Sequence, residues 1–260
     1  MHMVIHPPEA GLDAVMDIEK RCVIRHCYFT DNWRIALLKG QSDPVCAEVC
    51  VFGMQFVSSQ YFKSVSYHGE VFVVIDCRDS FIYNVVASLG SLGVDVRVES
   101  ESDLDTDVVR SLDPDAIVLS PGPGRPSPNR GSWKVLDEFR EDTPILGICL
   151  GHQAVCSYFG MTVDEGKGPM HGKVTLVHHS GNGLLNGIPD GFRAVRYNSL
   201  SATASTVPDC LTIDATDDRG DVMAVSHRSL PIFGVQFHPE SFLSEHGDEI
   251  FRNFLKEVRS

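Results

Sequence analysis

The chain has 260 residues, 43% hydrophobic and 22% charged, and a formal net charge of −13 at pH 7. At about 100–200 residues per domain this length fits one large domain or two small ones, able to form a core without metals or disulfides. The acidic balance argues against a nucleic-acid-binding protein, which would show a basic face, and no run approaches the ~18 consecutive apolar residues of a membrane span.

The first residues show no charged-then-apolar leader, and the early acids Glu9, Asp13, Asp17 and Glu19 are wrong for a transit peptide. The expected location is the cytoplasm, with neither nucleic acid nor membrane as partner. The eight cysteines are then expected to be free thiols rather than disulfides.

Residues 1–70 contain short apolar runs (45–56) and scattered histidines, without a sustained period. Cys22, Cys27, Cys46 and Cys50, with His6 and His26, raise the question of zinc. Their C-x4-C and C-x3-C spacings are not the C-x2-C knuckles of zinc motifs, so no metal is expected. The segment reads as an extension that the following domain does not need, including the reading that the native start lies near Val71. An accessory region covering a sheet edge is the alternative.

From residue 71 onward apolar runs alternate with amphipathic stretches. Strands are expected at 71–76, 94–98, 116–119 and 145–149, and helices at 80–92, 104–112, 133–139 and 152–159. This alternation implies βαβ units and a mostly parallel sheet. After Gly160 come short strands at 161–164, 173–178, 192–196, 211–215, 222–226 and 232–237, then a helix over 245–258. The expected fold is α/β and three-layered, with a parallel central sheet and a small antiparallel elaboration. Residues 71–260 form its domain.

Three motifs sit at strand ends. Gly147-Ile148-Cys149-Leu150-Gly151-His152-Gln153 places a cysteine between two glycines at a strand-to-helix junction, the pattern of a nucleophile elbow. The sulfur is then presented at the carboxyl end of the sheet, where open α/β sheets bind ligands, and a helix N-terminus favours its thiolate. A buried structural cysteine in a Gly-rich turn is the competing reading. Phe237-His238-Pro239-Glu240-Ser241 follows the strand at 232–237. His238 can act as base and acid for a cysteine, and Glu240 can fix its tautomer. Ser120-Pro121-Gly122-Pro123-Gly124 follows another strand, and its exposed N–H groups, with that of Leu150, can stabilise an oxyanion. For each of the last two the competing reading is a plain turn.

Together GICLGHQ, FHPES and PGPG resemble the triad-type (class I) glutamine amidotransferases. The likeness narrows to the small subunits of anthranilate synthase and aminodeoxychorismate synthase. Asp79-Ser80-Phe81 with Tyr83-Asn84, His171-Gly172-Lys173 and Arg196-Tyr197-Asn198-Ser199-Leu200 extend it across residues 71–258. The resemblance implies that Cys149 forms a γ-glutamyl thioester, that His238 is base and acid, and that Glu240 orients it. It implies an oxyanion hole from the backbones of Gly124 and Leu150. It also implies that L-glutamine is held by Gly122, Pro123, Gly124, Leu150, Gln153, Ser199 and Leu200.

The ammonia released would pass to a chorismate-aminating synthase subunit in a heterodimer or heterotetramer. No cofactor is expected in this chain, since Mg²⁺ and chorismate would belong to the partner. The regions 79–84, 171–173 and 196–200 would meet or signal to it. Anthranilate synthase is the leading expectation. The aminodeoxychorismate enzyme and a non-catalytic regulatory relative are the alternatives. GMP synthetase and carbamoyl-phosphate synthetase are disfavoured, because no synthetase domain is recognisable and residues 1–70 are too short for the second enzyme's extra domain. Cys77, Arg78 and Asn198 depart from the family pattern without touching the triad.

Overall fold

Runs of buried aliphatic residues set the framework of the structure, a computed structural model that describes residues 2–5, 14–17 and 69–260. The chain divides into two units, Met1–His68 and Gly69–Ser260. In the first, β1 (His2–Ile5) pairs antiparallel with β2 (Ala14–Asp17), with His2 opposite Asp17. The cysteines and histidines weighed above as zinc ligands lie outside the described residues.

The second unit opens with β3 (Val71–Asp76), α1 (Ile82–Ser91), β4 (Asp95–Ser100), α2 (Thr106–Ser111) and β5 (Ala116–Leu119). It continues with α3 (Gly131–Phe139), β6 (Ile145–Ile148) and α4 (Leu150–Tyr158). Then follow β7 (Val163–His179), β8 (Phe192–Ala202), β9 (Leu211–Asp217), β10 (Val222–His227), β11 (Ile232–Val235) and α5 (Gly247–Val258). Nine of these strands make one sheet in the order β4-β3-β5-β6-β11-β10-β9-β7-β8. The five from β4 to β11 run parallel and the remaining pairings are antiparallel. This is the α/β architecture expected from the alternation of strands and helices.

Successive side chains of a strand point to opposite faces, so a sheet covered on both sides needs continuously apolar strands. Phe72, Val74, Ala116, Val118, Leu146 and Ile148 face one layer, built with Ile82, Val85 and Leu89 of α1 and Ile250, Phe251 and Phe254 of α5. Val73, Ile75, Ile117, Leu119 and Ile145 face the other, against Val109 of α2, Val135 and Phe139 of α3, and Val155 of α4. In α5 the acids Asp248 and Glu249 occupy the first turn and Lys256 the last, each favourable to the helix dipole.

The antiparallel part departs from the sequence reading. The strands expected at 161–164 and 173–178 are one strand, β7, and β8 runs on to Ala202. Between them the ladder shifts register at Glu165/Met170 and at His171/Lys173. The Gly-rich stretch 166–172, with Gly168 at φ +108°, bulges within the sheet instead of leaving it. That interruption erased the period-2 signal.

β8 is held by a buried charge. Arg196 is 1% exposed, and its Nη1 donates to Asp217 Oδ2 at 2.6 Å and Asp221 Oδ2 at 3.2 Å. Its Nε donates to Asn198 Oδ1 at 3.1 Å, and Asn198 Nδ2 donates to the Leu200 carbonyl at 2.8 Å. Asp217 also accepts the backbone N–H groups of Arg219 and Asp221. Removing one member leaves buried charge unpaired, whereas removing the whole set need not. Arg196→Ala is therefore expected to cost about 3–5 kcal/mol in urea unfolding. The R196M/D217N/D221N combination should cost less than Arg196→Ala, and a larger loss from the combination would contradict this account.

Candidate active site

β6 runs into α4 through a single residue, Cys149, at φ 52° and ψ −98°. A non-glycine residue in such a conformation costs about 1–3 kcal/mol and persists only where its surroundings impose it. Here the Cys149 N–H donates to the Val235 carbonyl at 2.8 Å, and its own carbonyl accepts from Gln153 N at 3.0 Å. The flanking glycines are required sterically. A Cβ on Gly147 would lie 2.4 Å from the Gly151 backbone, and one on Gly151 would lie 2.2 Å from the Leu119 carbonyl. The helix thus sits directly on the strands, with the cysteine aimed from its N-terminus.

Beyond β11 the chain continues buried through Gln236 and Phe237 to His238, whose N–H donates to the Val195 carbonyl at 3.1 Å. His238 Nδ1 meets Glu240 Oε1 at 2.6 Å. That contact leaves Nε2 buried and without a hydrogen-bond partner among the described residues. Burial disfavours protonation of His238, but its interactions with Cys149 and Glu240 outweigh burial and push its pKa up to about 10. The carboxylate side therefore tethers the ring, while the cysteine side awaits a reactant. Catalytic hydrogen bonds often close only when substrate is bound. Tyr197 packs edge-on against the imidazole, with centroids 5.0 Å apart.

His152 is shifted the other way. It is wholly buried beside the elbow, and burial drives its pKa down to about 3, so it stays neutral. Asp79 is half-buried, and its pKa is raised by burial, opposed by the Phe81 backbone and His238, and reinforced by the nearby Glu240 and Asp76.

A cavity of about 210 Å³ opens over Cys149. Gly122, Pro123, Gly124, Leu150, Gln153, Ser199 and Leu200 all line it, so every residue predicted to hold a small substrate converges on the cysteine. His171, Tyr197 and Asn198 line it too. The sequence reading places these three in partner-facing stretches. The extension of β8 brings Tyr197 and Asn198 to the rim, and Ser199 Oγ lies 3.4 Å from His171 Nε2. His238 and Glu240 are not among the lining residues, although Tyr197, which is, packs on the His238 ring. A larger concavity, about 420 Å³, lies by Met170, Arg193 and Arg219, and Cys149 is not among its lining residues.

One predicted residue has a different emphasis. Gln153 Nε2 already donates to the Leu200 carbonyl at 2.9 Å and to Gln236 Oε1 at 3.1 Å. It therefore braces the pocket wall at least as much as it faces a ligand. Gln236, which the sequence reading overlooked, is fully buried and donates from Nε2 to Cys149 Sγ at 3.7 Å. The alternation of an extended chain was the available signal, since it puts Gln236 on the same side as His238 two residues on.

Cys77, Cys149, Cys156 and Cys210 are free thiols. Among the described residues no group of three or more His, Cys, Asp or Glu side chains is placed to hold a metal ion. No helix among them is long and apolar enough to cross a membrane.

The profile of the family "Glutamine amidotransferase class-I" matches residues 73–258. Anthranilate synthase component 2 of Azospirillum brasilense is 45% identical over 188 residues, covering 72% of this chain and 96% of that protein. The aminodeoxychorismate/anthranilate synthase component 2 of Bacillus subtilis (strain 168) is 39% identical over 187 residues, covering 72% and 96%. A solved structure from Thermoplasma acidophilum, named for GMP synthase, superposes with a TM-score of 0.65 at 28% identity, covering 74% of this chain and 96% of that one. The matched stretch runs from β3 to the end of α5 and contains the elbow, the loop after β5 and the histidine–glutamate pair, so the chain belongs to the class-I glutamine amidotransferase family.

Proposed function

We propose that this chain is the glutamine-hydrolysing component of an anthranilate synthase, working in the cytoplasm with a chorismate-using synthase subunit. Residues 71–260 are the amidotransferase domain in this reading, and residues 1–70 an extension outside it. The observation that carries the chemistry is Cys149 on the strained elbow, opening into a cavity whose Tyr197 packs on the His238 of the His238–Glu240 pair. The partner assignment rests on the relatives named as component 2 of such synthases.

In this mechanism the Cys149 thiol passes its proton to His238 Nε2, and the Sγ thiolate attacks the side-chain carbonyl carbon of L-glutamine. The carbonyl oxygen takes the negative charge and is met by the N–H groups of Gly124 and Leu150. As the C–N bond breaks, protonated His238 gives its Nε2 proton to the departing amine, which leaves as ammonia. His238 then takes a proton from water, whose oxygen attacks the γ-glutamyl thioester, and glutamate is released with the thiol restored. Glutamine and water give glutamate and ammonia. Gly122, Pro123, Ser199 and Leu200 contact the substrate, while Gln153 supports the wall beside it. No cofactor of this chain takes part, and Mg²⁺ belongs with the chorismate subunit.

A second reading, aminodeoxychorismate synthase or service to both enzymes, is favoured by the dual name of the Bacillus subtilis relative. The two differ in the product made from chorismate and glutamine, so identifying that product by mass and fluorescence separates them.

Cys149→Ser is expected to abolish glutamine-dependent product formation in the reconstituted complex while ammonium salts still support it. Retained glutamine use by the serine variant would refute the nucleophile assignment. A pH profile tests Glu240. Its charge raises the proton affinity of His238, so Glu240→Gln lowers that affinity, and the proton needed by the leaving amine is lost at lower pH. The alkaline limb of glutamine hydrolysis should accordingly move to lower pH. An unmoved limb would separate Glu240 from the titration of His238.

A further inference from the structure

The loop after β5 is tied at both ends. At its base the Cys77 N–H donates to Ser120 Oγ at 2.9 Å, and that hydroxyl donates to the Pro121 carbonyl at 2.7 Å. Gly122 packs on Cys77 so closely that a Cβ would lie 2.3 Å from the Cys77 carbonyl oxygen. The far end is held by an ion pair that neither the motifs nor the mechanism above uses.

Glu101, at the end of β4, is 7% exposed. It accepts from Arg130 Nε at 3.0 Å to each carboxylate oxygen, and also from Arg130 Nη2. The same carboxylate accepts from Ser132 N at 3.2 Å and Ser132 Oγ at 2.9 Å in the first turn of α3. With its Nε and Nη2 fixed in this way, the planar guanidinium can aim Nη1 in only one direction. Nη1 donates to the Pro123 carbonyl at 3.0 Å and reaches the Arg125 carbonyl at 3.5 Å. Because a trans peptide is planar, its C=O and N–H point opposite ways. Holding the Pro123 oxygen against Arg130 therefore turns the Gly124 N–H away from Arg130, and Pro123 and Gly124 both line the cavity over Cys149.

We propose that Arg130, locked by Glu101, is a positioning residue that holds the Pro123–Gly124 peptide with its N–H turned to receive the oxyanion. The inference rests on the oxyanion role given to Gly124 above. Without the clamp this peptide, whose Gly124 sits at φ +91°, is free to rotate. Cys149, His238, Ser199 and Leu200 lie outside this loop and stay in place, so the effect falls chiefly on the transition state.

The test measures glutamine hydrolysis by the reconstituted complex alongside alkylation of Cys149 by iodoacetamide, a displacement that uses the thiolate but no oxyanion hole. Arg130→Met is expected to lower kcat about 10- to 100-fold, with KM within about threefold and the alkylation rate unchanged. Glu101→Gln, which keeps the packing but loosens the arginine, should give a smaller loss of the same kind. An unchanged kcat in Arg130→Met, or equal falls in kcat and alkylation, overturns the clamp. Should Arg130→Met fail to fold, Glu101→Gln decides by the same two rates. A native complex that cannot use glutamine at all would instead refute the proposed function.

Discussion

The site depends on how closely α4 approaches the sheet. Gly147 and Gly151 leave no room for a side chain between helix and strands, and the Leu119 carbonyl lies where a Cβ of Gly151 would go. This approach drives Cys149 into its positive-φ conformation and makes it the first residue before the helix. Strain there is stable because β11 supplies the Val235 carbonyl to its N–H and α4 supplies the Gln153 N–H to its carbonyl. The same geometry brings the loop after β5 alongside the sulfur, since β5 and β6 are parallel neighbours ending at one edge.

A chain of buried polar contacts joins the antiparallel strands to that elbow. It runs from Asp217 and Asp221 through Arg196 and Asn198 to the Leu200 carbonyl, then through Gln153 and Gln236 to the Cys149 sulfur. Charge buried in this way contributes little net stability. It does fix the end of β8, which forms one wall of the cavity over Cys149. Asn198, which the sequence reading takes as a departure from the family pattern, is part of this chain and so bears on the wall.

Two histidines show how environment separates roles. His152 and His238 are both buried within reach of the elbow, yet burial, reinforced by the charge of Arg196 and only partly offset by Gln236, keeps the first neutral. The second has Glu240 at 2.6 Å and the cysteine on its other side, which together favour the charged ring despite burial. Only the second is arranged to carry a proton.

Much of this was legible in one dimension. Short continuous apolar runs at 71–76, 116–119 and 145–149, bounded by turn residues, read as strands covered on both faces, and glycines on either side of a cysteine at a strand end mark an elbow. Such signals are local, within a few residues, and need no knowledge of neighbours. Non-local features stayed hidden. Nothing in the spacing shows that β7 passes unbroken through the glycine-rich stretch 166–172, because the pairing with β8 holds it in the sheet. Nor does spacing couple Glu101 to Arg130, Arg196 to Asp217, or Gln236 to Cys149, pairs 29, 21 and 87 residues apart. The elbow that presents Cys149 is written in adjacent residues. The cavity around its sulfur comes from contacts that exist only once the sheet has brought distant strands side by side.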